Sequence, residues 1–332
     1  MKKLIHGIDV TRFLHSRYWV IVTLTAIIAV AIKGDSRGIP FDTISSGIFG
    51  LTPVDEWISS AGSRLVLGLL ATVSVGGVLY LINTTFNLLR SISLIYLTVF
   101  FTIVGTQPAL TSQFDGGQMF ALLTFGALYP LFSAYQSPVR TREVFLSLCM
   151  LTTALILCCQ ITAWITMLAV FLSGIAQMRI LRPQTIIAAA IGIITPIWIL
   201  WGFGIINNVD ISVPTLFSMS GLPAWISSGT VAYLTIIFLM WLTMSIFNLV
   251  RIYNYNARLR AYNGLFSLLG IALLLTIAFD PGHITTYLPA FAGCVAMQAG
   301  HFFTILHGSR SWIGILTVCL PFWIILLCDI YL

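Results

Sequence analysis

Charged residues are scarce in this chain. Only 8% of its 332 residues are Asp, Glu, Lys or Arg, whereas 58% are hydrophobic; ordinary soluble domains carry roughly a quarter charged residues. No polar stretch is long enough to fold alone, which excludes a separate soluble catalytic module. We therefore expect one all-α, polytopic membrane domain over residues 1–332, in which any chemistry uses helices and short loops.

Several catalytic and metal-binding signatures are also missing. The sequence contains no P-loop, no dinucleotide-binding glycine motif and no HExxH motif. The six cysteines lie in apolar segments, without the paired spacing of a zinc site or the loop placement of a disulfide framework. They are interpreted as packing residues. The sequence therefore predicts no metal site and identifies no cofactor.

The apolar segments predict about eleven transmembrane helices, since each holds about 20 residues between polar or Gly/Pro interruptions. The fifth and sixth segments are separated only by a break around Gln160 and Thr162. They are either two short spans or one re-entrant hairpin. The predicted spans are 18–33, 64–84, 90–106, 117–135, 143–159, 162–178, 184–206, 229–250, 263–279, 286–306 and 311–330.

The charges predict the orientation of these spans. With the N-terminus in the cytoplasm, only Lys33, Arg37 and Arg64 among the basic residues fall outside, as the positive-inside rule requires. The acids sort the opposite way, with only Asp9 and Glu143 inside. Insertion does not require this second asymmetry, so we expect a chemical site on the outer side. Basic residues scattered at helix ends argue against a nucleic-acid partner.

Three short motifs recur in the same order and predict an internal repeat with halves 1–178 and 179–332. Both copies enter the membrane in the same direction, which makes the repeat parallel. The alternative is chance similarity, because a few residue types make up most of this apolar sequence. The paired motifs are WISS at 57–60 and 225–228, FNL followed by a second apolar residue and Arg at 86–90 and 247–251, and Phe-Asp at 114–115 and 279–280.

Two helix-packing features accompany the repeat. Asn87 and Asn248 occupy matching places in the two halves, and we expect them to form a hydrogen-bonded cap between the inner helix ends. In the tenth span, Ala292, Ala296 and Gly300 recur every four residues. Small residues at this spacing predict a face for close helix packing.

The adjacent acids Asp55 and Glu56 are the first candidates for catalysis. They lie in the first expected outer loop, where a carboxylate could act as a general base on an acceptor hydroxyl. The alternative is that they open a short helix, because acids in a first turn are favoured by the helix dipole.

The expected outer face holds five candidate substrate-binding residues. Asp115 and Asp280 occupy matching places beside glycine, where turn chemistry is the alternative interpretation. His283 could act as an acid, a base or a phosphate contact. The outer cations Arg37 and Arg64 could pair with a phosphate, although Arg64 could instead pair with a nearby acid or extend to the interface.

The predicted topology, together with the Asp55-Glu56 pair, resembles the GT-C glycosyltransferase superfamily, particularly the protein O-mannosyltransferases. The segment 182–198 is similar to the middle of such chains. Residues 143–206 are also similar to an uncharacterised integral-membrane family of Bacteroidota. The predicted outer loops are shorter than those of O-mannosyltransferases, and a parallel repeat is not a feature of that fold.

The GT-C resemblance implies an enzyme of the bacterial inner membrane that transfers a sugar from a polyprenyl-phosphate donor to an envelope acceptor. It implies that Asp55 is the base, that Glu56 supports it, and that Arg64 and His283 neutralise the leaving phosphate. One alternative function is a lipid or solute carrier, or flippase, with two parallel repeats. Another is a non-catalytic scaffold subunit with partner proteins in an envelope complex.

Overall fold

The computed structural model describes residues 61–89, 94–106, 116–137, 139–159, 161–206 and 228–305, and a few isolated residues near the two ends of the chain. These described residues form nine α-helices, two short 3-10 turns (Ile252–Asn254 and Pro281–His283) and no strand. The α-helices are α1 (Ala61–Phe86), α2 (Ile95–Gly105), α3 (Gly116–Ser133), α4 (Thr141–Cys158), α5 (Ile161–Gln177), α6 (Pro183–Ile206), α7 (Ser228–Val250), α8 (Ala257–Phe279) and α9 (Ile284–Ile305).

Five of these helices, α1, α4, α6, α7 and α8, are long and apolar enough to cross a membrane. Two shorter apolar helices, α2 and α5, lie beside them. A membrane favours this architecture because a helix satisfies its backbone hydrogen bonds internally. The chain is therefore a multi-pass membrane protein that is all-helical over the described ranges, as its composition predicts.

The nine helices fall on nine of the predicted spans, and most boundaries agree closely. The largest difference is at α8, which begins at Ala257 rather than at 263 because the Asn256 side chain accepts a hydrogen bond from Leu259 N (2.8 Å) and caps the helix. The fifth and sixth segments form two separate helices, α4 and α5. The first and last predicted spans, 18–33 and 311–330, lie outside the continuously described ranges.

Helix α9 lies at the centre of the bundle. It packs against α2, α3, α7 and α8, and its residues 286–301 are all buried. A Cβ atom at Gly300 would lie 2.5 Å from a methyl of Leu89, and one at Gly293 would lie 2.4 Å from the Phe125 ring. The close-packing face predicted for Ala292, Ala296 and Gly300 is thus confirmed at Gly300, and the other two residues are fully buried.

Helix α6 lies at the periphery and packs on α4. Its outward face carries large exposed apolar side chains, among them Trp198, which is 71% exposed. On the inward face, a Cβ at Gly192 would lie 2.7 Å from the backbone oxygen of Phe145. The two helices therefore approach each other closely at Gly192, while the opposite side of α6 is suited to contact lipid.

An aromatic cluster closes one end of the bundle, which we call the Arg258 end. Phe132 stacks on Tyr262 with ring centroids 4.3 Å apart, and Phe86 packs edge-on against both. The Tyr262 hydroxyl donates to the backbone oxygen of Phe132 (2.9 Å), and Arg258 Nε donates to that hydroxyl (2.8 Å). These contacts join the ends of α1 and α3 to the start of α8.

The expected cap between Asn87 and Asn248 does not form. Asn87 is exposed and follows α1 with φ 49°, a left-handed conformation that asparagine tolerates at a helix end. Its neighbour Asn83 makes the buried contact instead, accepting a hydrogen bond from Leu89 N (2.8 Å). Asn248 is buried and bonds to Gln298. The two asparagines therefore have different roles, despite their matching places in the sequence.

Candidate functional site

A cluster of three polar side chains lies where α8 ends and α9 begins, at what we call the Asp280 end. Asp280 is only 2% exposed. Its Oδ1 lies 2.7 Å from Nδ1 of His283, and its Oδ2 accepts a hydrogen bond from the Tyr287 hydroxyl (3.0 Å). The His283 side chain is 29% exposed. A buried carboxylate thus contacts an imidazole that solvent can reach.

The local fold explains how these three side chains meet. Helix α8 ends at Phe279, and the backbone N–H of Asp280 donates to Thr276 O (2.8 Å). The 3-10 turn Pro281–His283 reverses the chain into α9. Because His283 and Tyr287 are four residues apart, they lie on the same side of the start of α9. The sequence interpretation of Asp280 as a turn residue is therefore incomplete, since its side chain binds this face of α9.

Neighbouring helices hold the cluster in place. The Tyr287 ring packs edge-on against Phe120 of α3, with centroids 5.9 Å apart and planes at 87°. The Thr276 hydroxyl lies 2.8 Å from that of Thr166 on α5. Four helices thus fix the base of the site, which suits a group that must keep its orientation during a reaction.

The Asp280 cluster has a geometry suited to proton transfer. When its carboxylate accepts a hydrogen bond from the Nδ1 of His283, Nε2 is left to exchange a proton with a ligand, as in other carboxylate-oriented histidines. Over the described residues, no group of three or more His, Cys, Asp or Glu side chains could hold a metal ion.

Of the seven predicted site residues, the structure brings together Asp280 and His283. The side chains of the other five lie outside what the structure describes, although the backbone of Arg64 is part of α1. Sequence reasoning missed Tyr287. Its spacing of four residues from His283 and seven from Asp280 was the available signal. The other five predicted residues are Asp55, Glu56, Arg37, Arg64 and Asp115.

A second polar site lies in the interior, where α9 meets α7 and α8. Asn248 Nδ2 of α7 donates to both the side-chain oxygen (2.7 Å) and the backbone oxygen (3.0 Å) of Gln298. Gln298 Nε2 donates to Asn263 Oδ1 (2.8 Å) and to Ser267 Oγ (2.9 Å) of α8. These four hydrogen bonds link three helices.

This network borders a cavity of about 400 Å³ between α7 and α8. Three of its lining side chains have buried oxygen atoms with no hydrogen-bond partner, namely Gln177 Oε1, Ser245 Oγ and Asn248 Oδ1. Trp241 also lines it, with an unpartnered Nε1 that lies against Gly270 of α8. Buried polar atoms are normally paired, so the three oxygens mark this cavity as a second candidate binding site.

Comparison with known proteins adds no assignment to either site: no family model, no curated protein and no solved structure matches the chain.

Proposed function

We propose that this chain is a GT-C-like glycosyltransferase of the bacterial inner membrane, which moves a sugar from a lipid-phosphate donor to an envelope acceptor at the Asp280 end. The observation that supports this function is the contact of buried Asp280 with accessible His283. A carboxylate that orients an imidazole is suited to proton transfer at a leaving or attacking oxygen.

The proposed orientation places the Asp280 end outside the cytoplasm. Arg140 donates to the backbone oxygen of Ser133, and Arg258 bonds to Tyr262, so both cations belong to the opposite end of the bundle. Cytoplasmic loops carry an excess of Lys and Arg. With eleven spans and a cytoplasmic N-terminus, the same rule places the Asp280 end on the envelope side, where a lipid-linked donor meets its acceptor.

The proposed roles follow the chemistry of phosphate departure. Asp55 would remove the proton of the acceptor hydroxyl, supported by Glu56. His283, held by Asp280, would donate a proton or a hydrogen bond to the phosphate oxygen that leaves the sugar, and Arg64 would offset its charge. Arg37 and Asp115 would complete the substrate contacts.

The direct test is Asp280→Asn, which keeps the size of the side chain and removes its charge. A strain lacking the chain would be complemented with the wild type or the variant, and its envelope glycans measured by mass spectrometry. Since general acid and base groups contribute about 10²–10⁴-fold, we expect the glycan made by the wild type to fall about a hundredfold or more. His283→Ala and Asp55→Asn should give the same loss.

The matched control is Glu143→Gln, which neutralises a half-buried acid in the first turn of α4. That variant should keep the full glycan level. Full glycan with both Asp280→Asn and His283→Ala, at unchanged protein level, would remove this cluster from the reaction. Movement of a labelled lipid by the purified protein in liposomes, without consumption of a sugar donor, would favour a carrier instead.

A further inference from the structure

The cavity between α7 and α8 has the form of a groove with α9 behind it. Both helices pack on α9 but make few direct contacts with each other. The volume of about 400 Å³ lies within the usual range of small-molecule sites, about 300–1,000 Å³. Leu249 of α7 is 65% exposed, and Ile246 and Ile271 are also exposed. These three lining residues place the opening of the groove on the lipid-facing side of the bundle.

The unpartnered oxygen of Asn248 has a defined orientation. Its Nδ2 lies within hydrogen-bond distance of two oxygens of Gln298, so turning the amide would bring Oδ1 against both of them. Asn248 is 1% exposed, and its Oδ1 is left in the cavity wall without a donor. A buried acceptor without a donor is costly, so this oxygen favours a ligand that carries an N–H or O–H group.

The unpartnered oxygens lie towards one end of the groove. Gln177 is the last residue of α5, and Asn248 and Ser245 lie two and five residues before the end of α7. At 1.5 Å per residue, these oxygens lie within about 8 Å of the helix ends. The apolar residues Trp241 and Ile271 line the part of the groove closer to the helix centres. This gradient matches a lipid with its headgroup near the interface and its chain directed inward.

The lining also indicates the charge of that headgroup. None of the described residues that line the groove is charged, and three of the available polar atoms are oxygens. A phosphate or carboxylate would place more acceptors against these oxygens without a cation to offset them. Headgroup hydroxyls supply donors to the two amide oxygens and can accept from the Ser245 hydroxyl.

We infer that this groove binds one membrane lipid with an uncharged, hydroxyl-bearing headgroup, of the monoacylglycerol type. The two free headgroup hydroxyls donate to Asn248 Oδ1 and Gln177 Oε1, and the Ser245 hydroxyl donates to a headgroup oxygen. The acyl chain extends inward along Trp241 and Ile271. This site is separate from the Asp280 cluster and does not depend on the proposed sugar transfer.

The test uses the full chain in lipid nanodiscs and a photoactivatable monoacylglycerol with the reactive group in its acyl chain. We expect labelled peptides from 241–252 and 263–271. Excess unlabelled monoacylglycerol should remove the label, whereas glycerol without a chain or the matching fatty acid should not. Displacement by the fatty acid to the same extent would show that the hydroxyl headgroup is not recognised, and would overturn the inference.

Two double variants make the test specific. Ser245→Ala with Gln177→Leu removes two of the three oxygens and should lower labelling about tenfold, as the loss of two hydrogen bonds implies. The control, Ser74→Ala with Gln184→Leu, makes the same changes at exposed positions of α1 and α6 and should label like the wild type. Both should elute like the wild type on size exclusion. Equal labelling of the two double variants would contradict the site. So would the absence of any lipid retained by the purified protein, with only water in the groove.

Discussion

At the scale of single residues, Gln298 connects the centre of the bundle. It belongs to α9 and bonds to Asn248 of α7 and to Asn263 and Ser267 of α8. Polar side chains in membrane helices often form such links, and each typically contributes about 0.6 kcal/mol. Removing their common partner costs more than one link, because buried donors and acceptors are then left unpaired.

We expect Gln298→Leu to lower the free energy of unfolding by about 1–3 kcal/mol, because it leaves Asn263 Oδ1 without its donor in an apolar interior and leaves Asn248 Nδ2 with only the backbone oxygen of residue 298. The measurement is the unfolding transition of the purified protein in detergent. Gln184→Leu, the same change at an exposed position of α6, should stay within about 0.5 kcal/mol of the wild type. Equal losses in the two variants would contradict the role given to this network.

Contacts between individual side chains were the hardest feature to predict from the sequence. The sequence marked Asn248 as a polar residue near a helix end, but its partner on α9 depends on which helices are neighbours, and spacing along the chain does not fix that. The environment of Asn87 was equally hard to predict, because its match with Asn248 in the sequence did not indicate that Asn87 adopts a turn conformation. Asp280 and His283 were predictable candidates because they are local in sequence. Predicting Tyr287 would have required knowing that α9 begins one residue after His283.

At the scale of helices, the contact between α4 and α6 depends on one glycine. A Cβ at Gly192 would lie 2.7 Å from the backbone oxygen of Phe145. A side-chain end can rotate away, whereas a backbone oxygen in a helix moves only when the helix moves. Gly192 therefore sets how closely α6 approaches α4.

We expect Gly192→Ala to destabilise the protein by about 1–3 kcal/mol, the usual cost of overpacking. Gly202→Ala is the control on the same helix, since nothing lies within 4 Å of a Cβ there. It should be neutral or stabilising by up to about 1 kcal/mol, because alanine favours helix more than glycine. Thermal unfolding in detergent distinguishes the two variants. A greater loss for Gly202→Ala than for Gly192→Ala would contradict the close approach.

Helices were the most predictable level, since a run of about 20 apolar residues has few alternatives in a membrane. The break at Gln160 left α4 and α5 ambiguous because hydropathy does not show how two short segments fold back. In the structure, Gln136 N donates to Met178 O (3.0 Å), which joins the start of this pair to its end. The segment therefore forms two helices, of 18 and 17 residues, whose outer ends lie close together.

At the scale of the whole molecule, hydropathy did not predict which helix would be central. The central helix α9 instead carries small residues at close contacts, among them Gly293 and Gly300, and the buried Gln298. The peripheral helix α6 has the highest mean hydropathy of those five, 2.0, and the lowest buried share, 28%. Apolar character here reports contact with lipid more than central position, in contrast to soluble proteins.

The proposed function requires the two ends of the bundle to face opposite sides of the membrane. The measurement that tests this most directly is labelling of single introduced cysteines with a membrane-impermeant maleimide, before and after permeabilisation of spheroplasts. The wild-type chain sets the background from its own cysteines. Pro281→Cys marks the Asp280 end, and Tyr253→Cys, at a position that is 86% exposed, marks the loop that leads to Arg258.

We predict that Pro281→Cys reacts in intact spheroplasts and that Tyr253→Cys reacts only after permeabilisation, because the positive-inside rule places the Arg258 end in the cytoplasm. The reverse pattern would place Asp280 and His283 in the cytoplasm, away from any envelope acceptor, and would contradict the proposed function.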